Sequence, residues 1–215
     1  MTAARPVFVL GAGGHGRLLL DAWRLGENRD PNGFLDDDPA KKDLMIDGLR
    51  VLGSIDDNAD AIRGATLIVG IGAVDKPAVR VDAIARLTEL GSEFATVTHP
   101  SAIVSPAAHI DAGCTLLAGV IVNRGARLGQ FVTLYSGSIV EHDTEIGDHT
   151  QVAPGVVIAG NVRIGARVFI GMGANISHGV EIGDDSVVGG GSMVLKDLPP
   201  GSRVAGVPAR PIPLH

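Results

Sequence analysis

A period of six residues runs through the second half of the chain and constrains its fold more than any other feature. From Val104 to Val194, every sixth residue is Val, Ile or Leu, without an insertion. The residue two places earlier is always small or β-branched, as at Ala102 and Val120. A six-residue unit is one short strand and one turn, so three units close a triangular coil of about 18 residues. The pattern predicts a hexapeptide parallel β-helix with the aliphatic side chains pointing inward.

The composition favours a narrow, layered core. The 215 residues include 30 Gly but only five Phe, one Trp and one Tyr. Glycine suits turns with unusual backbone angles, and few large rings are available to fill a wide core. A set of ordinary β-hairpins would need alternation with a period of two, which does not explain an unbroken period of six.

Charge and hydropathy argue against several classes of function. A net charge of −6 disfavours nucleic-acid binding, which needs an excess of Lys and Arg. The longest apolar run, Leu116–Val122, is much shorter than the ~18 residues of a membrane span, and the N-terminus lacks a secretory apolar region. With one cysteine, Cys114, and no Cys/His cluster at zinc spacing, we expect no metal. The prediction is a cytoplasmic protein.

The first half of the chain alternates between short apolar runs and amphipathic segments, which predicts a small parallel α/β domain. In the second predicted helix, Val79 and Leu87 are expected on the buried face. We therefore divide the chain into an α/β domain at 1–98, a β-helix at 99–198 and a C-terminal tail at 199–215. The predicted strands are Val7–Leu10, Gly33–Leu35, Thr66–Ile71 and Glu93–Val97, and the predicted helices are Gly16–Leu25 and Lys76–Leu90.

A glycine-rich turn follows the first predicted strand. Gly11, Gly13 and Gly16 satisfy GxGxxG, and Asp36 lies 20 residues after Gly16. By motif alone this is a Rossmann-like dinucleotide fingerprint, because N–H groups at a helix start bind pyrophosphate. A nucleoside-diphosphate sugar also carries a pyrophosphate, so the motif leaves NAD and a nucleotide sugar as alternatives.

Five short motifs, in order along nearly the whole chain, resemble the bacterial nucleotide-sugar N-acetyltransferases of the PglD and NeuD type. They are GAGGHG at 11–16, FLDD at 34–37, HD at 142–143, AGN at 159–161 and GVPA at 206–209. The resemblance implies a left-handed β-helix, a homotrimer with active sites between neighbouring β-helices, and a role in polysaccharide biosynthesis. It also implies acetyl-CoA-dependent acetylation of a nucleotide-linked 4-amino-4,6-dideoxy sugar. GDP-perosamine N-acetyltransferases share this layout.

Acetyl transfer to an amine needs a base, and histidine is the usual one because its pKa lies near 7. His142 comes two residues after the inward-pointing Val140, hence in a turn, where position alone would make it one more polar turn residue. The resemblance implies that His142 is the general base and that Asp143 orients its ring. The period of 18 places Gly160 directly over His142, where its N–H is a candidate oxyanion donor.

The resemblance also implies two sets of binding residues. The nucleotide-sugar site is expected at Gly13, Gly14, His15, Asp36, Asp37 and Gly72. The acetyl-CoA site is expected at Gln151, Gly160, Met172, Gly190 and Lys196. Relatives often have His at the position of Gln151 and Asn at that of Tyr135, so the contacts that position the amine stay open. Sugar O-acetylation, as on sialic acid, and a non-enzymatic ligand-binding β-helix are the alternative functions.

Overall fold

The computed structural model describes residues 5–27, 29–72 and 77–212. It divides into two compact units, Met1–Val97 and Thr98–His215. Lys76, the predicted start of the second helix, lies outside the described residues. The three α-helices of the described part contain 14, 4 and 13 residues, and none of them is a candidate to span a membrane.

The first unit has a four-stranded parallel sheet in the order β2-β1-β5-β6, flanked by helices. β3 and β4 form a separate antiparallel hairpin. The predicted strand Glu93–Val97 is divided, because only its first two residues join this sheet. The elements are β1 (Val7–Leu10), α1 (Gly14–Glu27), β2 (Gly33–Leu35), β3 (Met45–Ile46), β4 (Leu49–Arg50), α2 (Ala59–Ile62), β5 (Thr66–Val69), α3 (Pro77–Glu89) and β6 (Glu93–Phe94), with 3₁₀ turns at Pro39–Lys41 and Asp56–Asn58.

The core of the first unit lies between this sheet and its helices. All four residues of β1 are buried, as expected for a strand covered on both faces. In α3 the buried stripe consists of Arg80, Ile84 and Leu87, at helical spacing. Val79, which we expected on that stripe, is 53% exposed, because Arg80 takes the position one residue further on.

The second unit is a parallel β-solenoid of about six turns that matches a left-handed β-helix. Its strands form three sheets, which we call the first, second and third faces in the order in which the chain visits them. The first face contains Val97–Thr98, Thr115–Leu116, Thr133–Leu134, Gln151–Val152, Phe169–Ile170, Val187–Val188, Arg203–Ala205 and Arg210–Pro211. The second face contains Ile103–Val104, Ile121–Val122, Ile139–Val140, Val157–Ile158, Asn175–Ile176 and Met193–Val194. The third face contains His109–Ile110, Arg127–Leu128, Glu145–Ile146, Arg163–Ile164 and Glu181–Ile182.

The turns between these faces form three corners. The first corner joins the first face to the second, the second corner joins the second to the third, and the third corner leads back to the first. From the strand at Ile103 to the strand at Asn175, each strand lies beside the strand 18 residues ahead, as at Ile139↔Val157. The tail adds a further parallel strand, since Arg203–Ala205 pairs with Val187–Val188.

The repeated aliphatic position fills the interior of the coils, and Leu134, Val140 and Ile158 are fully buried. The small position beside it includes hydroxyl residues that link successive strands. Thr144 Oγ1 donates to the carbonyl of Ala159 at 2.9 Å, and is therefore satisfied although it is buried. The six-residue period thus specifies both the apolar filling and the polar links of the core.

Candidate active site

His142 and Asp143 form a hydrogen-bonded pair at the second corner. Adjacent residues of an extended strand point in opposite directions, so this pairing needs a turn. Asp143 supplies it by adopting the left-handed conformation, with φ +57°, which Asp tolerates better than most residues. His142 Nδ1 and Asp143 Oδ2 are 3.0 Å apart, and the two side chains are 49% and 60% exposed.

Two glycines make room for this pair. The Asp143 carboxylate lies against Gly125, one coil earlier, where any side chain would collide with it. On the other side, a Cβ on Gly160 would lie 2.6 Å from both Cε1 and Nε2 of His142. The face of the His142 ring therefore packs on a position without a side chain, and the 18-residue period predicted Gly160 as this neighbour.

The backbone at Gly160 has an available donor. The Gly160 carbonyl accepts a hydrogen bond from Gly179 N at 3.1 Å, and Asn161 N donates to the His142 carbonyl at 3.0 Å. The N–H of Gly160 itself donates no hydrogen bond within the described part of the chain. The His142 imidazole and a Gly160 N–H that donates no hydrogen bond among the described residues thus lie at neighbouring positions of one corner.

The other residues expected around acetyl-CoA are spread around the coil. Lys196 lies at the second corner with His142 and is exposed. Met172 and Gly190 lie together at the first corner, where a Cβ on Gly190 would be 3.2 Å from the Met172 carbonyl oxygen. Gln151 lies on the first face, is 5% exposed and accepts a 3.4 Å hydrogen bond from the Tyr135 hydroxyl. The second face of the coil, one side of the triangle, separates Met172 and Gly190 from His142.

The first unit contains a cavity of about 260 Å³ where β1, β2 and β5 end. Four of the predicted nucleotide-sugar residues line it: Gly13, Asp36, Asp37 and Gly72. Within the described residues, Gly14 and His15 are not part of this lining, and Gly14 lines a separate cavity beside Arg17 and Asp47. The remaining lining residues are Leu10, Gly11, Leu35, Lys41, Ile55, Gly70, Ile71 and Val79. The sequence pattern did not indicate Lys41.

Asp36 is held by three hydrogen bonds. Its Oδ2 accepts from Ala12 N at 2.8 Å and from Lys41 Nζ at 2.9 Å, and its Oδ1 accepts from Asp38 N at 3.0 Å. Burial raises the pKa of Asp36, but the hydrogen bonds from Ala12, Lys41 and Asp38 outweigh burial, and the net pKa is lowered. Asp36 is therefore an anion with a paired cation at the wall of the cavity.

His15 lies at the start of α1 and is neutral at physiological pH. Burial, with a further contribution from the positive charge of Arg80, lowers the pKa of His15 from 6.5 to about 4. Arg80 is itself only 2% exposed, so it places a buried positive charge in this part of the unit. The buried positive charge of Arg80 near the glycine turn thus favours the binding of an anion there over the binding of a second cation.

A larger cavity, of about 770 Å³, lies on the third face. Charges of alternating sign follow its outward positions at Arg127, Glu145, Arg163 and Glu181. None of the predicted site residues lines it, as far as the described residues show. Among the residues that the structure describes, no group of His, Cys, Asp and Glu side chains is placed to hold a metal ion.

Comparisons with known proteins give separate matches for the first and the second unit of the chain. Residues 6–86 match the PglD N-terminal domain, and residues 125–160 and 161–196 match the bacterial transferase hexapeptide family. PerB from Caulobacter crescentus, solved in complex with CoA and GDP-perosamine, is 31% identical over 98% of this chain and 99% of its own, with a TM-score of 0.89. A His-to-Asn variant of the perosamine N-acetyltransferase from the same organism, with the same two molecules, gives 30% identity, 98% coverage of both chains and a TM-score of 0.90.

Two further proteins extend the comparison beyond that organism. The acetyltransferase domain of PglB from Neisseria gonorrhoeae FA1090, in complex with acetyl coenzyme A, is 27% identical over 98% of this chain and 100% of its own, with a TM-score of 0.88. WeeI from Acinetobacter baumannii AYE is 26% identical over 97% and 100%, also with a TM-score of 0.88. The fold and these matches define a hexapeptide acyltransferase. More narrowly, the chain belongs to the PglD-like family of nucleotide-sugar N-acetyltransferases.

Proposed function

We propose that this protein transfers the acetyl group of acetyl-CoA to the amino group of a nucleotide-linked 4-amino-4,6-dideoxy sugar. The observation that carries the proposal is the hydrogen-bonded His142–Asp143 pair, whose imidazole ring packs with its face on Gly160. Family membership supports the reaction class, and PerB and PglB supply the precedents of CoA with GDP-perosamine and of acetyl coenzyme A. Gly160 supports the proposal because a side chain there would collide with the His142 ring and displace it.

In this mechanism Asp143 accepts the Nδ1 proton of His142, which leaves Nε2 unprotonated and able to act as a base. His142 takes a proton from the sugar amine while the amine nitrogen forms a bond to the acetyl carbon. Gly160 donates its N–H to the carbonyl oxygen as negative charge develops there. The carbon–sulfur bond then breaks, and His142 returns the proton to the departing thiolate. General-base assistance of this kind contributes about 10²–10⁴-fold to the rate.

We also propose that the first unit is a Rossmann-like binding domain for the nucleotide part of the substrate. Its parallel sheet order, β2-β1-β5-β6, places the glycine turn and Asp36 at the ends of adjacent strands. The start of α1 offers N–H groups to a pyrophosphate, and a neutral His15 adds a possible donor without a second charge. Acetyl-CoA and nucleotide sugars are cytoplasmic metabolites, and we propose that the enzyme acts there.

The distribution of the acetyl-CoA residues supports a homotrimer in which each active site is shared. Met172 and Gly190 lie one side of the triangle away from His142, so we propose that they serve the His142 of a neighbouring copy. Lys196 is left exposed to pair with a CoA phosphate. The second face offers a suitable contact surface, because four of its six outward positions are β-branched aliphatics: Ile103, Ile121, Ile139 and Val157. Ile103 is 65% exposed, and such apolar patches mark interaction sites.

The test is direct measurement of acetyl transfer. The protein is incubated with acetyl-CoA and a panel of UDP-, GDP- and dTDP-linked 4-amino-4,6-dideoxy sugars, with thiol release and product mass recorded. We expect one amino sugar to gain an acetyl group that survives mild base, as an amide does. A base-labile product would identify an ester and therefore an O-acetyltransferase. The absence of both transfer and acetyl-CoA binding would contradict the enzymatic assignment.

A further inference from the structure

We propose that Lys41 and Asp37 recognise the base of the nucleotide and select guanine. This inference rests on the proposed function, since it assumes that the 260 Å³ cavity holds the nucleotide. Both residues line that cavity together with Asp36. Lys41 is outside the set of residues that the sequence motifs indicated.

The cavity has the composition of a pocket for a flat heterocycle. Much of its lining is aliphatic, from Leu35, Ile55, Ile71 and Val79, which suits the two faces of a base. Charged groups are confined to the segment after β2, at Asp36, Asp37 and Lys41. A base held between the aliphatic side chains would therefore meet this segment with its polar edge.

Lys41 is fixed in place before any ligand binds. Asp38 caps the 3₁₀ turn Pro39–Lys41, because its Oδ1 accepts from Ala40 N at 3.0 Å. Lys41 N donates to the Asp38 carbonyl at 3.0 Å, and Nζ lies 2.9 Å from Asp36 Oδ2 and 3.8 Å from Asp38 Oδ2. The Lys41 side chain is 32% exposed. A restrained ammonium group loses less conformational entropy when it binds a ligand.

Counting hydrogen bonds shows which groups remain for a ligand. A carboxylate offers about four acceptor positions, and Asp36 uses three of them within the protein. Asp37 accepts only from Ile55 N, at 3.2 Å, among the described residues. Lys41 has three donors, and one is committed to Asp36. The polar edge of the cavity thus offers a charged donor from Lys41 beside open acceptors on Asp37.

Guanine is the base that complements this pair. Its edge carries the carbonyl O6 next to two donors, N1–H and the N2 amino group. Lys41 can donate to O6 while Asp37 accepts from both donors in a bidentate, charge-assisted arrangement. In uracil and thymine the N3–H lies between two carbonyls, so a carboxylate bonded to it would be repelled on both sides. Adenine presents an amino group, a donor, where Lys41 needs an acceptor.

The experiment compares the binding of GDP, UDP, dTDP and ADP by calorimetry, with Lys41→Met as the test variant. Lys42→Met is the matched control, because Lys42 pairs with Asp57 at 2.9 Å and is not among the described lining residues. We expect GDP to bind at least about tenfold more tightly than the other three. Lys41→Met should weaken GDP about 10- to 100-fold, as for loss of a charged hydrogen bond, and Lys42→Met less than about twofold. Acetyl-CoA binding by both variants reports that they are folded.

A second variant tests Asp37 without depending on Lys41→Met. In Asp37→Asn the amide can accept from N1–H and donate to a carbonyl at C2, which xanthine has and guanine lacks. We expect this variant to bind xanthosine diphosphate more tightly than GDP. Equal binding of UDP and GDP, or unchanged GDP affinity in both variants, would overturn the inference and leave the proposed function intact. Failure of every nucleoside diphosphate to bind would overturn both.

Discussion

The nucleotide cavity of the first unit and the His142 corner of the second are built in opposite ways. In the cavity, the polar groups are tied to one another, and Asp36 alone accepts three hydrogen bonds from the chain. At the corner, His142 and Asp143 are about half exposed, and among the described residues their side chains form a hydrogen bond only with each other. The cavity is continuous within one unit, whereas the acetyl-CoA residues are divided among two corners and one face. A site formed by strand ends is therefore self-contained, and one formed by a regular coil depends on what lies beside it.

Replacing His142, the proposed base, should have the largest effect on turnover. It should leave binding in the cavity of the first unit unchanged. We expect His142→Ala to lower kcat by about 10²–10⁴-fold, because the amine proton has no acceptor. Binding of the nucleotide sugar should stay close to wild type. Steady-state kinetics and calorimetry measure the two effects. His178→Ala is the matched control, since His178 is exposed and occupies the same corner column two coils further on. Near-normal turnover by His142→Ala would contradict the assignment of the base.

Filling the space beside the base should damage activity while leaving the coil intact. A Cβ on Gly160 would lie 2.6 Å from the His142 ring, and the half-exposed ring can turn away at little cost to stability. We expect Gly160→Ala to lose about 10²-fold in kcat, as small misplacements of catalytic groups do. Its melting temperature should stay within about 2 °C of wild type. A large fall in melting temperature would mean that Gly160 is needed for folding rather than for room at the site.

Mixing two inactive variants tests whether the corner site is shared between copies. Gly190→Tyr would block the first corner, and His142→Ala removes the base from the second. In randomly mixed trimers, about one interface in four combines an intact His142 with an intact Gly190. Co-expression should therefore restore about a quarter of wild-type activity from two inactive parents. If both residues act within one chain, no activity will return.

The smallest predicted effect concerns the pH dependence of the first unit. The pKa of His15 is lowered from 6.5 to about 4 in the folded protein, so between these values the unfolded chain binds a proton that the folded chain does not. The stability contribution of neutral His15 is thus present above about pH 6.5 and is lost as the pH falls towards 4. Urea unfolding at pH 7 and pH 5 should show a smaller loss of stability in His15→Gln than in wild type. His178→Gln should behave as wild type does.

How far the sequence predicts the molecule depends on which unit is considered. The coil repeats one local interaction, so a period of six was enough to place the buried positions and to put Gly160 beside His142. In the first unit, β1 and β2 were predicted with their observed bounds. The buried face of α3 was predicted correctly at Leu87 but not at Val79, because a hydrophobic pattern gives no weight to Arg80.

The site residues show the same limit. The pairing of His142 with Asp143 requires a φ of +57°, and a residue pattern does not contain a dihedral angle. Lys41 reaches the cavity because Asp38 caps the turn that precedes it, and a run of three Asp does not reveal which one is the cap. The sequence identified residues with suitable side-chain chemistry. The backbone conformation of the turns determines which of these side chains come into contact.

The corner column that contains His142 has a consequence for how such enzymes change. Arg124, His142, Gly160 and His178 occupy one position in successive coils, and the residue that follows each of them has a positive φ. The coil therefore offers a series of structurally equivalent positions. A catalytic side chain can be introduced at any of them by substitution without a change of fold. A base could be moved by one coil along the axis through two exchanges, at the old position and the new one. We propose that the position of the bound substrate, rather than a preference of the fold, determines which coil carries the base.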